Sequence, residues 1–473
     1  NRNIIRLNER KITVEYVSVK EKAKEWKVSE RQVQYYCRQL QIDGVVKKSG
    51  VWLVPKAAQK PCDKEQKELR VLSLFSGCGG MDLGFEGHFD IFKQQYNYRI
   101  NSDWKVEEVN DKFIRLPKTR FTTVFANDIV PATQVAWSEF FAEKESVYCL
   151  DSIVDLVKLH QRNQIKVFPD NIDVVTGGFP CQDFSIAGKR LGFNSESSHN
   201  GGKLDVDEPT EESRGQLYMW MREVISITQP KVFVAENVKG LTNLGDIKEI
   251  IESDFSSISE GGYYVFPTKV LLSADYGVSQ SRERVIFIGV RKKDLKPGIL
   301  EKIENVHNHP ELDPYPSKTH TNSGEAWLLP YVTVKEILGD LDEPEKSSDI
   351  DQQRYSKAKF MGKHCQGQIE VDLNGIAPTI RSEHHGNIEF RRLSKENGGT
   401  HFEELSEGKK ERRLTIRECA RIQSFPDNYQ FIRPGRDGVS ATSAYKMIGN
   451  AVPPLMAFHI AKRLEDLWSV YFG

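Results

Sequence analysis

Between residues 69 and 291, short apolar runs of strand length alternate with longer amphipathic stretches. The runs at 69–74, 122–126, 172–175, 232–235 and 285–288 are rich in Leu, Ile, Val and Phe, as strands buried on both faces must be. Residues 216–228 carry apolar side chains at helical spacing and predict a helix. Strands alternating with helices predict a doubly wound, Rossmann-like α/β sheet with its ligand at the carboxyl ends of the strands. Residues 292–410 lose this periodicity; Pro, His, Ser, Asn and Lys-Glu clusters predict an irregular second domain. From 411 to 473 a regular pattern returns, which assigns this stretch to the first domain.

The first 55 residues form a different pattern. Ser18 caps a predicted helix carrying Val19, Ala23 and Trp26, and Ser29 caps a second with Val33, Tyr36, Cys37 and Leu40 on one face. Two short strand-like pieces, Val45-Val46 and Val51-Trp52-Leu53-Val54, follow around Lys47-Lys48-Ser49-Gly50. Helix, turn, helix and hairpin resemble a winged helix-turn-helix of the excisionase and MerR kind. Arg31, Gln34 and Arg38 on the second helix are of the types that reach phosphates or base edges. Residues 56–69 are polar, contain Pro61 and read as a linker.

Composition narrows the classes. The chain has 473 residues, of which 38% are hydrophobic and 28% charged, which excludes wholesale disorder. No apolar run reaches the roughly 18–20 residues of a membrane span. Seven cysteines are too sparse for a disulfide framework, and no apolar signal segment opens the sequence. We therefore expect a cytoplasmic protein without membrane association, in a reducing setting where a cysteine can act as a nucleophile. Net charge is −1, but residues 1–70 hold about twice as many basic as acidic side chains. A local basic excess attracts phosphates.

The candidate chemistry lies where strands end. The first run leads into Phe75-Ser76-Gly77-Cys78-Gly79-Gly80, a turn that lets backbone approach a ligand closely. The second ends in Asn127-Asp128-Ile129, and a further acid, Asp151, precedes Ser152. A glycine turn with strand-end acids points to an adenosine-bearing cofactor. The third run leads to Pro180-Cys181-Gln182, the fourth ends in Glu236-Asn237-Val238, and Gln280-Ser281-Arg282-Glu283-Arg284 opens the fifth. A thiol, a carboxylate and two cations are thus expected at one sheet edge. No metal-ligating pattern is present. Residues 86–120 read as an insertion without assigned function.

With Gly449-Asn450-Ala451-Val452-Pro453-Pro454 and the stretch from Arg413 to Pro426, these motifs follow in an order that resembles the DNA cytosine-5 methyltransferases of bacterial restriction–modification systems. The resemblance spans about 70–460. It implies a catalytic domain at 70–291 and 411–473 and a target-recognition domain at 292–410. It also implies S-adenosylmethionine as methyl donor, leaving as S-adenosylhomocysteine. Cys181 would be the nucleophile that adds to C6 of cytosine, Glu236 the donor to N3, Arg284 the ligand of O2, and Arg282 a support for the Cys181 environment. The cofactor would lie along Phe75, Gly77, Gly79, Gly80, Asp128, Ile129, Asp151, Ser152, Pro180, Asn450 and Val452.

The target carbon is inaccessible inside a duplex, so the base would be flipped out. Gln182, Ser185, Lys189, Arg190 and Arg214 match the family's mobile loop as DNA contacts, and Thr379 and Arg381 the recognition signature. His384, His385, Arg391 and Arg392 are further expected contacts. The implied partners are double-stranded DNA and a cognate restriction endonuclease, with the enzyme acting as a monomer. Two other readings stay open from sequence: RNA cytosine-5 methylation, and promoter regulation through the N-terminal module.

Overall fold

The computed structural model describes residues 15–38, 42, 44–48, 51–60, 67–162, 165–180, 217–243, 246–382, 388–435 and 438–473. The chain divides into two units, one of residues 1–67, 294–314 and 463–473, the other of 68–293 and 315–462.

In the first unit, strand β1 (Tyr16–Ser18) runs into helix α1 (Val19–Trp26), followed by α2 (Glu30–Arg38), β2 (Val46–Lys48) and β3 (Val51–Pro55). Ser18 closes a capping box: its Oγ accepts from the Glu21 amide at 3.2 Å, and the Glu21 carboxylate accepts from the Ser18 amide at 2.8 Å. Lys27 in the left-handed region ends α1. The strands form an antiparallel sheet in the order β1–β3–β2; the first of them has no signal in the sequence beyond Val17. Val19, Ala23, Val33, Tyr36, Cys37, Ile42 and Val54 make a small core of their own. Lys22 is buried beside it, its ammonium donating to the carbonyls of Lys56 and Ala58, each at 2.8 Å, and to Glu25 at 2.9 Å. Arg31 and Gln34 are exposed on α2.

The second unit is built on eight strands. In chain order it runs β4 (Leu69–Leu74), α3 (Gly80–Glu86), β5 (Asp90–Phe92), β6 (Glu107–Glu108), β7 (Phe113–Arg115) and β8 (Phe121–Asn127). Next come α4 (Pro131–Phe140), β9 (Tyr148–Cys149), α5 (Ile153–Gln161), β10 (Val174–Gly178), α6 (Leu217–Thr228) and β11 (Val232–Val238). Helix α7 (Ile247–Ser256) and strands β12 (Tyr263–Val265), β13 (Lys269–Leu272) and β14 (Glu283–Arg291) complete the sheet. The strand order is β12–β14–β11–β10–β4–β8–β9, with β13 also on β14. Strands β11, β10, β4, β8 and β9 are parallel, and β14 is antiparallel to β11. From β4 the chain fills one side of the sheet and then, from β10, the other. The carboxyl ends of β4 and β10 therefore flank a topological switch point, where ligands of such sheets bind.

Helices α5, α6 and α7 cover one face through Val154, Val157, Met221, Val224, Ile251 and Phe255, packed on Leu72, Val175, Phe233 and Phe287. On α3, Gly84 meets the segment 454–458 so closely that a Cβ would lie 2.5 Å from the Pro454 carbonyl oxygen. The insertion at 86–120 forms the antiparallel sheet β5–β7–β6 and serves as a brace. Buried Gln95 donates to the Gly277 carbonyl at 3.0 Å, and buried Asn97 to those of Thr319 and Trp327 at 2.8 and 2.9 Å.

The irregular region gains rigidity from buried charge. Arg391 and Arg392 are buried, not displayed for DNA as expected. Arg391 Nη2 lies 2.6 Å from Glu404, and Arg392 bridges Glu343 at 2.6 Å and Glu404 at 3.0 Å. Arg412 joins Glu343 and Glu418 in the same network. A buried guanidinium without such acceptors would be prohibitive, so the acids of this segment explain where its arginines go. His384 and His385 lie outside the described residues.

Two outcomes follow from this packing. Alanine in a helix is ordinarily favoured over glycine by up to ~1 kcal/mol, yet Gly84→Ala collides with backbone that has no rotamer to yield. We expect net destabilisation of about 1–3 kcal/mol, read from the urea midpoint. The second concerns Asp82, buried on α3 with the Trp137 indole donating to it at 2.8 Å. Burial pushes its carboxyl up to about 6. The folded value exceeds the unfolded one, so the contribution to stability is complete below about pH 4 and is lost as pH rises through about 6. Asp82→Asn should remove that slope, leaving the wild type ahead by less at pH 8 than at pH 4 in parallel denaturation curves.

Candidate active site

Strand β4 ends at Leu74 and the chain turns abruptly into α3. Phe75, Gly77 and Gly79 take φ of 52°, 54° and 79°. Glycine adopts such angles freely, whereas Phe75 holds them at a cost of about 1–2 kcal/mol. The turn is fixed from below: the Ser76 amide donates to the Asn127 carbonyl at 2.9 Å, and Ser76 Oγ accepts from the Asn127 amide at 3.1 Å. The Tyr148 hydroxyl donates to the Gly77 carbonyl at 3.0 Å. Each glycine has its own reason. A Cβ on Gly77 would meet nothing within 4 Å, so space lies open above it. A Cβ on Gly79 would lie 2.5 Å from the Trp137 ring, and one on Gly80 would lie 2.3 Å from the Val452 carbonyl oxygen.

Asp128, at the end of β8, reaches the same turn. Its Oδ2 accepts from the Gly77 amide at 3.0 Å, and its Oδ1 from the amides of Ile129 and Val130 at 2.7 and 3.0 Å. Burial pushes the Asp128 carboxyl up, and these amides pull part of the way back. Ile129 and Val130 expose apolar side chains beside it. Asn127 donates to the carbonyls of Cys149 and Asp151 at 3.0 and 2.7 Å, which fixes the end of β9 against β8. Asp151 is exposed, and Ser152 is buried at the start of α5. Phe75 is half-buried against the core under α5–α7. Among the C-terminal residues, Val452 is buried and Asn450 exposed. An open turn, carboxylates at two strand ends and an exposed apolar wall fit the S-adenosylmethionine implied by the motifs.

The second half of the site stands on β10, β11 and β14. Gly178 is the Cα partner of Glu236, and Val238 that of Arg284. Glu236 and Arg284 are both buried, and Arg284 Nε lies 2.7 Å from Glu236 Oε1. A Cβ on Gly178 would lie 2.8 Å from Glu236 Oε2, so the missing side chain leaves that oxygen its room. Burial pushes the Glu236 carboxyl up; Arg284 first, then Arg282, pull it partly down. A carboxyl that retains its proton can donate a hydrogen bond, which an ordinary carboxylate cannot. Buried Asn237 donates to the Phe179 carbonyl at 3.3 Å and ties this strand to the peptide entering Pro180, which is half-buried. Cys181, Gln182, Ser185, Lys189, Arg190 and Arg214 lie outside the described residues.

Arg282, buried, spans two segments: it donates to the Ile380 carbonyl at 3.1 Å and the Gly449 carbonyl at 2.9 Å. Thr379 Oγ1 donates to the Ser281 carbonyl at 2.9 Å, and both Thr379 and Arg381 are half-buried. The structure thus brings Glu236 with Arg284, and Asp128 with the glycine turn, while Arg282 braces the segment at Ile380 against Gly449. Sequence reasoning missed Tyr148, Asn127, Asn237 and Gly178. Asn237 sat inside a quoted motif and could have been flagged as an amide next to the acid; Tyr148 had no local signal.

The sequence model for C-5 cytosine-specific DNA methylases matches residues 69–466. The Type II methyltransferase M.BspRI of Lysinibacillus sphaericus is 33% identical over 422 residues, covering 85% of this chain and 83% of that protein. M.BsuRI of Bacillus subtilis is 32% identical over 428 residues, covering 87% and 82%. M.NgoFVII of Neisseria gonorrhoeae is 30% identical over 414 residues, covering 85% and 87%. The match takes in every strand that carries the glycine turn, Asp128, Glu236 and Arg284, and the chain belongs to the C-5 cytosine-specific DNA methylase family.

Proposed function

We propose that Cys181, Glu236 and Arg284 carry out C5 methylation of a flipped cytosine within one short double-stranded DNA sequence. We also assign the enzyme to the modification half of a restriction–modification pair. That the chain is a DNA cytosine-5 methyltransferase using S-adenosylmethionine follows from its family; the residue roles, the flipped base and the biological pairing are our reading. The observation that carries it is the buried Glu236–Arg284 pair beside Gly178, close in sequence to Cys181. The pairing is supported by the Type II methyltransferases that are its relatives.

Cytosine is a poor nucleophile at C5. The Cys181 thiol gives up its proton, and the thiolate forms an S–C6 bond while the C5=C6 electrons move toward C5 and the N3–C2–O2 system. Glu236, whose carboxyl burial pushes up toward the protonated form, donates to N3 as charge develops there. Arg284 steadies the pyrimidine O2 and, through Nε, the orientation of Glu236. Bound S-adenosylmethionine supplies the electrophilic methyl group to C5. Loss of the C5 proton to a base and cleavage of the S–C6 bond then restore the ring and the thiolate, and N3 returns its proton to Glu236. Asp128 would accept from a ribose hydroxyl and Asp151 from the adenine amine, and Phe75 and Ile129 would hold the ring. Gly77 would admit the cofactor to the backbone, Gly79 and Gly80 would keep the turn in the shape that receives it, and Ser152, Pro180, Asn450 and Val452 would complete its surround.

For DNA, Thr379 and Arg381 read the target, and Gln182, Ser185, Lys189, Arg190 and Arg214 supply further contacts. The N-terminal module, through Arg31, Gln34 and Arg38, adds phosphate contacts of its own.

The test is base-resolution 5-methylcytosine sequencing of unmethylated duplex DNA treated with cofactor and enzyme. Methylation at one short sequence, absent with Cys181→Ser, is the expected result; methylation that survives the substitution sinks the nucleophile assignment. Glu236→Gln should lower the single-turnover rate about 10²–10⁴-fold. The wild-type rate should also fall as pH rises past the elevated value of Glu236, because the proton donor is lost. The glutamine variant, with no proton to lose there, should lack that limb.

A further inference from the structure

The recognition segment and the cofactor side of the site are joined by two buried side-chain bridges. In the first, the Ile380 amide donates to Gln280 Oε1 at 2.9 Å, and Gln280 Nε2 donates to Gln423 Oε1. Gln423 Nε2 then donates to the Ala451 carbonyl at 2.6 Å. Both glutamines are fully buried. Every donor points the same way along this chain of amides, an arrangement in which each bond polarises the next. The second bridge is Arg282, joining the carbonyls of Ile380 and Gly449 at 3.1 and 2.9 Å.

Backbone contact continues the connection at both ends. A Cβ on Gly449 would lie 2.3 Å from the Arg381 carbonyl carbon and 2.4 Å from the Ser382 amide nitrogen, so the recognition segment lies directly on this turn. At the other end the Val452 carbonyl presses on Gly80 of the glycine turn. Residues 449–452 are therefore gripped by the recognition segment on one side and rest on the cofactor turn on the other. The grip is polar and buried, and its members are specified by hydrogen-bond direction as well as by shape. A shift of Ile380 cannot leave Gln423 and Ala451 where they are without leaving a buried polar group unpaired, at a cost of about 1–3 kcal/mol.

We propose that Gln280 and Gln423 are positioning residues that couple occupancy of the recognition segment by DNA to occupancy of the glycine turn by cofactor. The inference rests on the reading that Thr379 and Arg381 meet DNA. Coupling between sites is reciprocal, typically on the order of 5–150-fold in affinity. Gln423→Glu is the sharpest variant, since it keeps shape and the acceptor for Gln280 but turns an oxygen toward the Ala451 carbonyl. Gln280→Leu breaks the chain at its other member and serves where the first variant does not fold.

The experiment is calorimetric titration of the full-length enzyme with S-adenosylhomocysteine, with and without a duplex carrying the methylated target established by sequencing. In the wild type, DNA should change the cofactor-product affinity by at least about 5-fold. In either glutamine variant the ratio should fall to within about 2-fold, while each ligand alone binds within about 3-fold of wild type. An unchanged ratio in both variants, or a wild-type ratio near unity, overturns the proposal. Failure of the underlying reading looks different: Thr379→Ala with Arg381→Ala would leave DNA affinity and methylated sequence unaltered.

Discussion

The buried pair of Glu236 and Arg284 is the constraint on which the rest of the catalytic half depends. A buried guanidinium and a buried carboxyl are costly to desolvate and tolerable only in good geometry, whichever of them holds the shared proton. The geometry comes from strand register. Glu236 faces Ile286 across antiparallel β11 and β14, which makes Arg284 its diagonal neighbour on the same face of the sheet. On the other side Gly178 is its partner in β10 and contributes no side chain. A slip of one residue in either pairing would send the carboxylate to the opposite face. The reversed direction of β14 is thus part of the site, because only its entry, not its exit, carries the Arg282 and Arg284 side chains to the strand ends where β10 and β11 finish.

The cofactor half is governed by close approach of backbone to backbone. Gly77 leaves a space, while Gly79 and Gly80 let an indole and a carbonyl occupy what a side chain would otherwise fill. Asp128 then serves two roles that do not conflict. It accepts from the turn's own amide, which orients it, and a carboxylate has about four acceptor positions, so capacity remains for a ligand hydroxyl. The return of the chain at 449–452 closes the same cradle from far along the sequence. The segment 380–382 and the glycine turn consequently pack on one short turn.

Much of the charge in the region between 340 and 427 is used for construction. The guanidinium groups of Arg391, Arg392 and Arg412 are spent on Glu343, Glu404 and Glu418, and Arg417 and Arg421 on Asp349, Asp351, Asp340 and Asp427. Such a network gives an irregular chain the rigidity that periodic secondary structure supplies elsewhere. It also separates the buried arginines that hold this region together from Arg381, which is half-buried.

The sequence by itself determined the strand-rich α/β core, the glycine turn and the strand-end acids, and it singled out a candidate thiol and carboxylate, because those features are local. Apolar periodicity marks a buried strand, and a motif keeps its residue types wherever the chain takes it. It also marked the helix of the first unit that Ser18 caps, through Ser18 itself and the spacing of Val19, Ala23 and Trp26. Only the tertiary structure decided that β14 runs backward, that Gly178 makes room for Glu236, and that Arg391 and Arg392 are buried in ion pairs. The same holds for Tyr148, Asn127 and the Gln280–Gln423 bridge. Each of these depends on residues tens to hundreds of positions apart, and pairing across such distances is set by strand register and burial. A charged or amide side chain looks alike in sequence whether it faces water, a ligand or a partner in the core; what distinguishes them is which acceptor the fold delivers.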